Sequence, residues 1–142
     1  MRHVWLAAAL LLLIPSVCSA DSVRSSPTVV VKPVVSTAVT ASSQPIVLPQ
    51  KDVRVVVTTF AIAKGAILPE HRHSYERYAY VMAGKLQVTN TETGKSDIYK
   101  AGDFIVEAIG QWHKAANIGA GTVKLVVVDQ VEGDQGNTEL RK

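Results

Sequence analysis

Between Val53 and Val131 the apolar residues come in short runs, several alternating with polar ones, and turn-forming residues interrupt them at close spacing. The runs are Val53–Ala63, Tyr78–Asn90, Ser96–Tyr99, Asp103–Val106, His113–Asn117 and Thr122–Val131. Between them stand Lys64-Gly65, Ala83-Gly84, Thr93-Gly94-Lys95, Ala101-Gly102, Ile109-Gly110 and Gly119-Ala120-Gly121. Strands of this length with glycine at nearly every corner predict an all-β sandwich or barrel. No stretch of this region keeps a helical period over more than two turns.

The flanks differ in character. Residues 1–20, MRHVWLAAALLLLIPSVCSA, carry a basic start at Arg2, an apolar run from Val4 to Ile14, then Pro15 and small residues to Ala20. That is the pattern of a secretory signal peptide. The run is shorter than the roughly 20 residues of a membrane-spanning helix, so no stable membrane anchor is expected. Residues 21–50 are rich in Ser, Thr, Val, Pro and Ala and read as a linker, with Thr28–Val35 able to form an edge strand instead. Residues 51–131 form the folded domain, and 132–142 read as a polar C-terminal tail. The expected setting is outside the cytoplasm, periplasmic or secreted.

With 142 residues there is room for about one domain. The single cysteine, Cys18, lies in the leader, so a mature chain beginning at Asp21 has neither a disulfide framework nor a thiolate ligand. Any metal must then be held by nitrogen and oxygen. The 15 basic and 12 acidic side chains are nearly balanced and show no basic stripe, so nucleic acid is not an expected partner. No nucleophile elbow or phosphate-cradling glycine loop is present.

His71 and His73 are two residues apart, a spacing that places both on one face of a strand and turns Arg72 the other way. Neutral imidazole is a good ligand for zinc, copper, nickel and iron. Taken alone the pair is weak, and the glycine spacing around it adds more. The block Gly65–Gly84 contains His71, His73 and, four residues later, Arg77. The block Gly102–Asn117 contains Ala108, Gly110 and His113. These blocks resemble the paired motifs of the cupin family, small single-domain members in particular, over about residues 53–130.

The resemblance implies a double-stranded β-helix, the jelly-roll barrel, in which His113 joins His71 and His73 around a divalent transition metal: iron, manganese, nickel or zinc. The sequence departs from the family pattern twice. Ala108 replaces the usual proline, a turn-stiffening position. Arg77 stands where the ligand glutamate is usual, and a guanidinium cannot coordinate a cation. Either three histidines hold the metal, or Glu107 or Glu76 supplies the carboxylate, Glu76 requiring a bulge to reach the face of His73, or no metal binds and the histidines line a small-molecule pocket.

An inward Arg77 would suit a substrate carboxylate through its two-pronged donors. Tyr75, on the face of His73 and Arg77, and Gln111, next to Trp112 and His113, are further candidates for contacting a small-molecule substrate. Asn117 is expected to close a turn. The family admits oxygenases, isomerases, lyases and decarboxylases as well as barrels that only bind. The reading is therefore a metal-binding cupin acting on a small anionic metabolite, with dioxygen chemistry first, or a non-catalytic binding or sensing barrel. Whether it is an enzyme, and which residues are then catalytic, is open at this point. A homodimer formed by pairing Val53–Ala63 and Thr122–Val131 across subunits is a third expectation.

Overall fold

The computed structural model describes residues 28–142, so the leader and the first part of the linker lie outside the described residues. The unit Lys32–Lys142 contains two antiparallel sheets. Its strands are β1 (Val53–Ile62), β2 (Ile67–Arg72), β3 (Arg77–Ala83), β4 (Lys85–Asn90), β5 (Ser96–Lys100), β6 (Phe104–Val106), β7 (His113–Asn117), β8 (Val123–Glu132) and β9 (Glu139–Leu140). One sheet runs β1-β8-β3-β6 and the other β5-β4-β7-β2-β9. The described residues are all-β, as the turn spacing predicted, and have the double-stranded β-helix architecture.

Alternation fixes which face of each strand is buried. In β8 every second residue, Val123, Leu125, Val127, Asp129 and Val131, is buried. β3 lies beside it in the register Arg77↔Asp129, Ala79↔Val127 and Val81↔Leu125, so its odd positions face the same interior. The core packs these against Ile62, Leu86, Ile105 and Ala115. Burying apolar side chains at roughly 25 cal/mol per Å² is what holds the two sheets face to face. The turn between β3 and β4 demands glycine: Gly84 has φ +87°, and a Cβ there would stand 2.8 Å from the Val123 Cα.

β1 and β8 pair with each other within the chain, Val53↔Glu132 through Ile62↔Val123, and β1 stands at the edge of its sheet. Two expectations need correction. The end of the linker is part of the barrel wall. Val39 and Pro45 bridge around a turn, the Ala41 N–H donates to the Val106 carbonyl, and the Gln44 side chain both donates to and accepts from the Ile109 backbone, at 2.9 and 3.1 Å. A side-chain amide thus imitates a strand partner, a role that low-complexity composition conceals.

The C-terminal stretch is likewise docked. β9 pairs with β2 as His71↔Leu140 and Arg72↔Glu139, and Asn137 is buried. Arg72 turns outward to meet Glu139, while Arg141 meets Glu70 and both guanidinium groups lie over Trp112. This stretch is polar because it joins the barrel through hydrogen bonds and ion pairs.

Candidate metal centre

β2 and β7 are neighbours, with His71 opposite His113, and His73 follows in a bridge to Ile109. The three ring centroids are 4.4 to 5.0 Å apart. Each ring is oriented by a backbone carbonyl. The Nδ1–H groups donate to Pro69 at 2.7 Å for His71, Asn137 at 2.7 Å for His73 and Gln111 at 2.9 Å for His113. In a neutral ring, such a bond fixes the tautomer and leaves Nε2 without a proton.

The fourth group is Glu107. Its Oε2 lies 2.9 Å from His73 Nε2 and 3.2 Å from His113 Nε2, and one ligand atom from each of the four residues falls within 4.8 Å of the others. The strand register delivers it. Ala79↔Ile105 is an inward pair of β3 and β6, and two residues along the Glu107 N–H donates to the Arg77 carbonyl at 2.9 Å. Glu107 therefore sits across the ladder from Arg77 on the interior face.

Arg77 is committed elsewhere. Its Nε and Nη2 donate to the two carboxylate oxygens of Asp129, at 2.7 and 2.9 Å, which leaves Nη1, 3.5 Å from His73 Nε2. The two-pronged face expected to grip a substrate is used by the protein itself. Asp129, Arg77 and Glu107 form a row of alternating charge across β8, β3 and the end of β6.

Burial pushes the His71 imidazolium down to about 4, partly opposed by the bond to Pro69. Burial acts to raise Glu107, but the bonds from His113 and His73 outweigh it and hold the carboxyl far below the usual range. Burial lowers His113, and the bond with Glu107 more than compensates, so its pKa is raised. Two small cavities flank the group, each leaving about 30 Å³ for the centre of a water-sized molecule. One is apolar, walled by Phe60, Leu68, Leu125 and Val127 with Arg77 at its edge. The other lies between Ala41-Ser42 of the former linker and the side chains of Lys95, Asn90 and Asp97.

The remaining candidates lie apart from this group. Gln111 contributes its carbonyl to His113, while its side-chain oxygen accepts from Asn90 Nδ2 at 2.7 Å. Tyr75 lines a groove with Pro45, Val47 and Pro49 and borders neither cavity beside the histidines. Asn117 closes its turn, donating to Ile62 and Gly121 and accepting from Gly119. Two residues went unremarked in the sequence, Asp129 and Asn137. The first was visible as the one charge on the buried face of β8; the second carried no signal.

Glu76 corrects an expectation most clearly. Because Arg77 points inward, alternation turns Glu76 outward, where Val47 covers it and donates a backbone N–H to Oε1 at 3.1 Å. Its Oε2 is buried without a hydrogen-bond partner, and burial raises its pKa, partly opposed by that N–H. The folded state therefore holds this proton more tightly than the unfolded chain, so stability falls as pH rises above about 4.5, the unfolded value. Glu76→Gln is expected to stabilise the protein at pH 7 by on the order of 1 kcal/mol and to flatten that dependence. Urea denaturation at pH 5 and pH 7 checks it, and an unchanged slope with pH in the variant contradicts it.

The model of the cupin-domain family matches residues 58–129. Among solved structures, the chain resembles the polyketide cyclase RemF from Streptomyces resistomycificus at 22% identity and a TM-score of 0.53, over 63% of each chain. It thus spans under two thirds of that cyclase. A Klebsiella pneumoniae protein with a double-stranded β-helix domain matches at 25% identity and TM-score 0.52, over 79% of this chain and 90% of that one. An oxalate oxidase in complex with the substrate analogue glycolate matches at 24% and 0.50, over 61% and 45%. No curated protein sequence matches the chain.

Proposed function

The chain belongs to the cupin family, and from that premise we propose that it is an exported metal-binding cupin in which His71, His73, His113 and Glu107 hold one divalent transition metal. Iron, manganese, nickel and zinc all suit three imidazoles and a carboxylate. One observation carries the reading. With every Nδ1–H donated to a carbonyl, the Nε2 lone pairs of His73 and His113 face an acceptor oxygen of Glu107, with His71 in the same group. Acceptors facing acceptors repel unless a cation lies among them, and a metal ion does this without protonating the rings.

The substrate is then a small anion reaching the metal from the Ala41-Ser42 side, where Lys95, Asn90 and Ser42 line the cavity. The metal would supply Lewis-acid polarisation of that anion. The chain's own residues orient and enclose: the Lys95 ammonium attracts the anion, Ser42 and Asn90 offer polar contacts, and the apolar wall beyond the histidines excludes water. Dioxygen chemistry is the first reaction to try, since an apolar cavity next to the metal admits a small apolar molecule. The small volume of both cavities favours, as a second reading, a barrel that binds such an anion without turnover.

The purified protein is expected to carry near one equivalent of a transition metal. After chelation, returning metal at 1,000 times its Kd should raise Tm by more than roughly 10 °C. Absence of stoichiometric metal together with no rise for iron, manganese, nickel or zinc overturns the proposal. Oxygen uptake with small carboxylates and phenols separates the catalytic from the binding reading.

A further inference from the structure

Outside the four ligand residues, a heavily bonded buried side chain near the histidines comes from the C-terminal return, the segment Gly133–Arg141. Asn137 is 7% exposed and makes four bonds, three through its side chain. Its Oδ1 accepts the Tyr75 N–H at 2.8 Å, and its Nδ2 donates to the Tyr75 carbonyl at 3.1 Å. A side-chain amide thus pairs with the backbone as a strand residue does. The same Nδ2 donates to Asp129 Oδ1 at 2.7 Å, the oxygen that receives Arg77 Nε. The Asn137 backbone carbonyl accepts the Nδ1–H of His73.

We infer that the C-terminal return completes the metal centre and that Asn137 is its positioning residue, holding His73 in the Nδ1–H tautomer and Asp129 against Arg77. The inference rests on the metal-binding reading above and adds a residue some 60 positions from His73 in the chain. The mechanism is mechanical and electrostatic. Three side-chain bonds pin the loop so that its carbonyl reaches His73, and that bond aims Nε2. Through Asp129, the same amide holds a carboxylate on the guanidinium and so offsets a positive charge that would otherwise oppose a cation beside His73.

The return is anchored at its far end by β9 and by the half-exposed pairs Arg72–Glu139 and Arg141–Glu70. Exposed pairs of this kind contribute roughly 0 to 1 kcal/mol each, so the register of the loop depends chiefly on the buried amide.

The test is titration of the metal-free full chain with cobalt(II), which reports affinity and, through its visible absorption, ligand geometry. Asn137→Ala should bind cobalt 10- to 100-fold more weakly than wild type, roughly the cost of losing an outer partner of a ligand histidine, with an altered spectrum. Asp134→Ala, which removes only an exposed pair with Arg54 in the same segment, should bind as wild type does. Unchanged affinity and spectrum in Asn137→Ala overturn the inference. If that variant does not fold, nitrogen-15 spectroscopy of the wild type decides. A His73 ring protonated at Nδ1 with a correlation to the Asn137 carbonyl supports the inference, and a ring protonated at Nε2 overturns it. If wild type itself binds no cobalt, the metal-binding reading is what fails, and the tautomer measurement still decides the role of Asn137.

Discussion

Glu107→Gln is expected to weaken binding of a divalent metal by roughly 100- to 1,000-fold while leaving the metal-free protein at least as stable as wild type. Binding free energies of about 10 to 16 kcal/mol for four-ligand structural zinc sites put each ligand at roughly 2.5 to 4 kcal/mol. Glu107 is also the one anion among the four groups. Metal-free stability moves the other way for a local reason. The Glu107 carboxylate faces the Nε2 lone pairs of His73 and His113, a conflict that is relieved without metal only by protonating a ring. A glutamine amide can donate to one of those lone pairs and remove the conflict at nearly the same volume.

The two measurements together separate the possible roles of Glu107. If it served only as the counter-ion of a protonated His113, its loss would lower metal-free stability and change nothing on adding metal. Calorimetric titration with zinc or manganese and a urea melt of the chelated protein distinguish these results. Unchanged metal affinity would remove Glu107 from the ligand set.

How much of this centre can be read from the chain depends on which parts are set by local geometry. The shared direction of His71 and His73 is a matter of strand parity, and so is the opposite direction of Arg72, which does meet Glu139 outside. The same parity in Phe104-Ile105-Val106-Glu107 puts Glu107 with Ile105 on one face. What parity cannot give is the pairing of β3 with β6, and only that register places Glu107 across from Arg77. The glutamate missing from the first motif is replaced from the neighbouring strand.

Arg77 shows the same limit from the other side. Its inward direction was legible, but its partner is set by the register of β3 against β8, and Asp129 takes the donors a substrate would have used. Gln44 and Asn137 escaped notice for a different reason. Each makes contacts that mimic backbone pairing, and one of the most consequential, from His73 to Asn137, uses a carbonyl that every residue possesses.

The row Asp129, Arg77, Glu107 makes the second large effect calculable. Asp129→Asn should destabilise the metal-free protein by about 3 to 5 kcal/mol, because Arg77 and Asp129 side chains are only 12% and 7% exposed and removing one charge strands the other. With Asp129 neutral, the guanidinium charge beside His73 Nε2 is no longer offset, so the variant should also lose metal affinity. Replacing both partners, Arg77→Leu with Asp129→Leu, should cost much less than Asp129→Asn alone, since a buried ion pair exchanged for apolar side chains of similar size is often neutral in stability. Urea unfolding of the three chelated proteins tests this directly. A loss below about 1 kcal/mol in Asp129→Asn would mean that water reaches the guanidinium. A double variant as unstable as the single one would mean that the interior at this end of the barrel needs the charges themselves, as the donors and acceptors that tie β3, β8 and the C-terminal return to one another.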